Sequence, residues 1–163
     1  MATAAKALYP SNEMIVWTIR QFDTLNSREL YDALVLRQRV FVVEQSCAYL
    51  DCDGLDEHAL HLFGRSENGD LVAYARIFPP GRCFVEASMG RVVTAPEVRG
   101  NGVGRDLMNE ALAQTYKAYG DVPIRIGAQQ YLERVYSKLG FVTVSDVYDE
   151  DGIPHIKMVK SPE

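Results

Sequence analysis

Short apolar runs alternate along this chain with longer amphipathic ones, and the spacing inside each run predicts its structure. From Met14 to Arg20, Ile15, Trp17 and Ile19 alternate with Val16, Thr18 and Arg20, the period-2 pattern of a strand. Asn26 with Glu29 three residues later reads as a helix cap. Leu30, Leu34, Arg37 and Phe41 then share one face at helical spacing. Residues 45–57 lose the periodicity and become loop-like and acidic. Strands are predicted over 57–65 and 71–79, around the turn Glu67-Asn-Gly-Asp70. Pro79-Pro-Gly81 interrupts the sheet, residues 84–94 make the next strand, and a helix over 103–118 ends near Gly120. A strand over 122–128, a helix over 130–139 and strands over 141–148 and 153–159, turned at Asp149-Glu-Asp-Gly152, complete the chain.

This order, β-α-β-β-β-α-β-α-β-β, predicts a mixed sheet with helices on both faces. There is no internal repeat, linker or low-complexity segment. Residues 1–13 lack the apolar segment of a secretion signal. They read as a tail before one domain spanning residues 14–163.

Composition removes several function classes. The 163 residues are 47% hydrophobic and 24% charged, ordinary for a globular chain with its own core. A net charge of −5 argues against a general nucleic-acid binder, and no apolar run reaches the length of a membrane span. Three cysteines, an odd number without a signal peptide, point to reduced thiols and a cytoplasmic setting. Cys47, Cys52, His58 and His61 lack the usual zinc spacing. The two histidines, three apart in a predicted strand, would face opposite ways. Asp51 and Asp53 resemble a calcium loop only until Gly54, which stands fourth where that loop needs glycine sixth. No metal is expected.

Chemistry concentrates in Gly90-Arg-Val-Val-Thr-Ala-Pro-Glu-Val-Arg-Gly-Asn-Gly-Val-Gly104. An apolar strand ends at Pro96, three glycines follow at alternate positions, and a helix begins at once. Free N–H groups and the dipole of a helix N-terminus attract phosphate, and glycines let the backbone approach it. A P-loop would need Gly-Lys-Ser/Thr, but Arg105 and Asp106 follow Gly104. A dinucleotide fingerprint would need a third glycine where Arg105 or Leu107 stands.

What remains, Arg99-x-x-Gly102-x-Gly104 after a Val-rich strand, resembles motif A of the GNAT superfamily of acyl-CoA-dependent N-acyltransferases. Gln129-Gln-Tyr-Leu-Glu-Arg-Val-Tyr136-Ser-Lys-Leu-Gly140-Phe141 resembles its motif B. Leu36-Arg-Gln-Arg-Val-Phe-Val-Val-Glu-Gln45, Tyr49-Leu-Asp-Cys-Asp-Gly54, Leu71-Val-Ala-Tyr-Ala-Arg76 and Glu150-Asp-Gly-Ile-Pro-His-Ile156 are similar to the ElaA-like branch, so the resemblance covers about residues 14–160.

The resemblance implies an α+β fold of α/β/α type, with a mostly antiparallel sheet splayed at the cofactor site. It implies acetyl-CoA as cosubstrate and a primary amine, small-molecule or peptide, that attacks the thioester directly. Arg99, Gly100, Asn101, Gly102, Val103 and Gly104 would hold the pyrophosphate. Val92, Val93 and Thr94 would pair with pantetheine and supply an N–H to the developing oxyanion. Gln129 would contact the cofactor where the family often has Asn, and Tyr136 would protonate the leaving thiolate. Glu44 is the first candidate base, followed by His155 and Glu86. The family's usual second helix before the second strand is short or absent here, and family analogy makes a homodimer one expectation. The acid-rich loop 51–57 reads first as a solvated loop and second as an attractor of a cationic amine. An acyl-CoA sensor without turnover, or a distant likeness to acyl-homoserine-lactone synthases, are the competing readings.

Overall fold

A computed structural model describes residues 14–162; the predicted tail 1–13 lies outside them. Eight strands form one open sheet: β1 (Val16–Gln21), β2 (Leu60–Arg65), β3 (Leu71–Phe78), β4 (Ala87–Thr94), β5 (Ile124–Gln129), β6 (Val142–Thr143), β7 (Tyr148–Glu150) and β8 (Ile153–Lys160). Their order is β1-β2-β3-β4-β5-β8-β6, with β7 also paired to β8. Every pairing is antiparallel except β4 with β5. Three helices accompany the sheet: α1 (Ser27–Arg37), α2 (Val103–Tyr119) and α3 (Glu133–Ser137).

Local chemistry explains most of these boundaries. Asn26 caps α1 through Oδ1, which accepts from the Glu29 amide at 2.9 Å, and Glu29 returns the bond to the Asn26 amide at 3.1 Å. Helix α2 buries Val103, Leu107, Met108, Ala111, Leu112 and Thr115, one stripe at helical spacing, and stops at Gly120. In the sheet, Trp17, Gly64 and Ala73 are cross-strand neighbours. A Cβ on Gly64 would lie 2.5 Å from the Trp17 ring, so glycine there is what admits the indole.

Paired residues share a face and successive ones alternate. Tyr74 and its partner Phe63 therefore face α1, whose Arg37 stacks on the Tyr74 ring. Thr94, opposite Ala73, faces α2, where a Cβ on Gly104 would lie 4.0 Å from its methyl group. Helices thus cover both faces.

Four predicted elements differ. The first helix does not continue as an α-helix to Phe41. Gln38–Glu44 is a π-turn, in which the Gln45 amide donates to the Val40 carbonyl and Cys47 to Val42. The run Val40-Phe-Val-Val43 is β-branched and aromatic, poor at holding a regular α-helix. His58 sits in a 3-10 turn, Asp56–His58, rather than in a strand. Helix 130–139 divides into a 3-10 turn (Gln130–Leu132) and the five residues of α3. The predicted strand 141–148 is two short strands on the same edge of β8.

Candidate active site

The sheet opens between its two parallel strands. Their ladder runs from Ala87–Ile124 to Met89–Ile126 and stops, although β4 continues to Thr94 and β5 to Gln129. The cleft so formed carries Val92, Val93 and Thr94 on one wall and Gly127–Gln129 on the other.

Strand β4 is also bulged in this stretch. Tyr74 pairs with Val93, but Arg76 pairs with Gly90, so β4 carries an extra residue. Arg91 takes it up with φ of +49°, a conformation L residues avoid. Such bulges re-aim a strand beside a site. Arg91 is held there by Asp51: Nε donates to Oδ1 at 2.8 Å and Nη2 to the carbonyl at 3.0 Å.

Asp51 anchors much more than the bulge. Its Oδ2 accepts from Nε of Arg37 at 2.8 Å, and neither side chain is more than 3% exposed. Arg37 also donates to Asp56 at 2.7 Å, and Arg76 reaches both Asp53 and Asp56. Burial alone would raise the Asp56 carboxyl; the hydrogen bonds and charges of Arg37 and Arg76 outweigh it and hold it below its ordinary value. Asp53 moves the same way, burial being overcome chiefly by Arg76. The expectation of a solvated loop holds for the exposed residues 52–54 and 57 and fails for buried Asp51. Asp51 is buried and Asp56 half-buried, whereas Cys52, Asp53, Gly54 and Glu57 are exposed; Asp51, Asp53 and Asp56 are all engaged by arginines, which argues against their drawing in a cationic amine. Their work is to join α1, the loop and the bulge.

His61 belongs to the same cluster. Its Nε2 donates to the Asp56 carbonyl at 2.9 Å, which leaves Nδ1 to accept from the Tyr74 hydroxyl at 2.6 Å. Burial depresses its pKa, so the ring stays neutral. Among the described residues no group of three or more His, Cys, Asp or Glu could hold a metal ion.

Beyond Thr94 lies the glycine loop. Gly100 and Gly102 both adopt φ of +85°, and a Cβ on Gly100 would meet nothing within 4 Å. The first helical bond of α2 is from Asp106 to the Gly102 carbonyl, so the amides before it have no partner within the helix. The chain here fits a pyrophosphate: glycines with an open approach, amides of the first helical turn without a partner within the helix, and a helix dipole of the right sign.

The π-turn spans the mouth of the cleft. Glu44 accepts from Arg99 at 2.6 Å, both about two-fifths exposed, and Arg39 pairs with Glu97. Gln45 accepts from Gln129 Nε2 at 3.2 Å. One turn of helix therefore touches both the glycine-loop side and the β5 side. Sequence reasoning missed Gln45, the π-turn and the Asp51–Arg91 anchor. A signal existed: Arg37 follows buried Leu36 and Arg76 lies between Ala75 and Ile77, and charges embedded in apolar runs need partners.

Tyr136 packs edge-on against Phe141, with ring centres 6.0 Å apart, and burial pushes its hydroxyl up to about 12. His155 lies opposite Gln129 at the open end of β5, and Nδ1 donates to the Ile153 carbonyl at 2.7 Å. In the neutral ring Nε2 then carries the lone pair. Glu86 sits at the closed end of the cleft, where both its oxygens are taken by Arg125. That position removes it from the candidate bases.

A family model described as an acetyltransferase (GNAT) domain matches residues 39–162. Protein ElaA of Escherichia coli is 41% identical over 149 residues, 90% of this chain and 97% of its own. A UPF0039 protein of Synechocystis is 42% identical over 145 residues, 89% of this chain and 94% of its own. The crystal structure of an acyl-CoA N-acyltransferase from Pseudomonas aeruginosa aligns with a TM-score of 0.86 at 40% identity, covering 91% of this chain and all of the other.

Proposed function

This chain belongs to the GNAT acetyltransferase family, and on that premise we propose that it transfers an acetyl group from acetyl-CoA to a primary amine by direct attack. The observation that carries the reading is the cleft where the β4–β5 ladder ends, with the glycine loop directly beyond it. Acetyl-CoA, when bound, supplies the thioester. The loop Arg99–Gly104 holds its pyrophosphate through backbone N–H groups, with the Arg99 guanidinium adding charge. The backbone of Val92, Val93 and Thr94 orients the pantetheine arm, and one of their N–H groups faces the carbonyl oxygen. Gln129 contacts the arm from the opposite wall.

Tyr136 is the acid for the departing sulfur. A hydroxyl at about 12 is protonated throughout the working range, so the proton is always in place. Glu44 takes the amine proton through water. In the free protein it is bound to Arg99, and a phosphate at the loop competes for that arginine, releasing the carboxylate as the cosubstrate binds. Residues 14–163 act as one catalytic domain.

The test is calorimetry with acetyl-CoA, followed by thiol release across an amine panel. Saturable binding with turnover on at least one amine supports the enzyme. Binding without turnover on any amine would make the chain a sensor, and absence of binding would overturn the cofactor assignment.

A further inference from the structure

On the α1 face of the sheet, at the root of the cleft, stands a cation that, among the described residues, has no carboxylate partner. Lys157 lies opposite Gly127, the first residue of β5 beyond the ladder. Its ammonium is 5.1 Å from the ring centre of Phe84 and 4.8 Å from that of Tyr148. Among the described residues it makes no ion pair. The nearby Glu86 is already bound at both oxygens by Arg125, which itself stacks on Phe84 at 5.6 Å.

Near the ammonium is the Tyr148 hydroxyl, buried and, among the described residues, without a hydrogen-bond partner. Buried polar groups are almost always satisfied, so an orphan donor at a cleft marks a place for a missing acceptor. Gly127 makes this arrangement possible. A Cβ there would sit 3.1 Å from the Lys157 ammonium and 3.3 Å from the Tyr148 hydroxyl, and the bare backbone lets both come down to the cleft floor.

We propose that Lys157 and Tyr148 form a subsite for a carboxylate carried by the acceptor amine. The acceptor is then an amino-acid-type molecule, a primary amine with its own free carboxylate, rather than a polyamine. The ammonium supplies the charge, the hydroxyl donates one hydrogen bond, and the two rings hold the ammonium while leaving it unneutralised. Along β5 the amine would lie toward Gln129 and His155, two residues further into the opening. This inference rests on the acyl-transfer reading above.

The experiment compares free amino acids with their C-terminal amides, at matched side chain, as acceptors and as ligands. In wild type the acids are expected to exceed the amides at least tenfold in kcat/KM. Lys157→Met is expected to abolish that ratio and Lys157→Arg to restore most of it. Tyr148→Phe keeps the ring and loses only an unpaired hydroxyl, so it should fold at least as well as wild type while reducing the ratio severalfold. Equal use of acids and amides by wild type, preference for polyamines, or an undiminished ratio in Lys157→Met would overturn the subsite. If no amine is acetylated, the transferase reading fails by itself. The subsite is then judged by ligand-induced shifts in melting temperature: acids stabilising wild type more than amides supports it, and equal shifts reject it.

Discussion

Gly102→Ala tests the phosphate cradle with a built-in control. Gly102 has φ of +85°, and a Cβ there would meet only the flexible end of Arg105, at 3.5 Å. The cost to the fold is therefore backbone strain, about 1–2 kcal/mol for an L residue held in the left-handed region. In a chain of this size that lowers the melting temperature by roughly 2–8 °C. Gly81 has φ of +82° with nothing within 4 Å of its Cβ position, and it lies in the turn joining β3 to β4, at the closed end of the cleft. Gly81→Ala should thus cost the fold about as much and leave the cofactor untouched. At Gly102 the new methyl group also stands at the loop's phosphate approach and disturbs at least one charge-assisted hydrogen bond, worth about 1.5–3 kcal/mol. Acetyl-CoA affinity should then fall by roughly 10- to 150-fold. Titration calorimetry on both variants, alongside their melting curves, separates the two effects. Equal affinities in Gly102→Ala and Gly81→Ala would refute the cradle.

Four further outcomes follow from the same geometry. Tyr136→Phe keeps the edge-on contact with Phe141 and should lower kcat by about 100-fold with little change in acetyl-CoA affinity, since general acids contribute on that order; unaltered turnover would return Tyr136 to a packing role. Asp51→Ala removes one of the two carboxylates on buried Arg37 and the acceptor of Arg91 Nε, while Asp56, Asp53 and the backbone carbonyl of residue 51 remain, so denaturant titration should show a loss of about 1.5–3 kcal/mol, the range of a hydrogen bond to a charged group. Glu44→Gln removes only an exposed pair, worth below about 1 kcal/mol, and should leave the melting temperature nearly constant while turnover drops; full activity would exclude Glu44 as base. The pH dependence of stability has two stages on the acid side. His61 is held neutral, its folded pKa below the ordinary 6.5, so its contribution is lost as pH falls from 6.5 toward that lowered value. Asp53 and Asp56 are held charged, and theirs is lost only below about pH 3.8; a melting temperature flat from pH 7 to 4.5 would contradict the first stage.

Legibility in the sequence followed the range of the interactions. The α1 cap, the amphipathic stripe of α2 and the strands around the Asn68-Gly69 turn are local, and each could be read from neighbouring residues. The glycine loop was legible because its backbone chemistry is encoded in consecutive positions. The Asp51 cluster was not, since Arg37, Asp51, Arg76 and Arg91 meet only after the chain has packed across the sheet. Acidic residues in a glycine-containing loop look alike whether water or arginine surrounds them. The bulge at Arg91 was hidden for a similar reason: the extra residue is visible only when β4 is laid against β3. The orphan hydroxyl of Tyr148 likewise depends on which face of β8 its neighbours occupy.

The π-turn has a stereochemical consequence of its own. Arg39 and Glu44 are five residues apart, and in an α-helix at about 100° per residue they would point roughly 140° away from each other. The wider i→i+5 turn stacks them on one side, where they reach Glu97 and Arg99 of the same loop. At this fixed spacing of five, the wider turn thus converts two side chains that an α-helix would point apart into a pair of clamps on one loop.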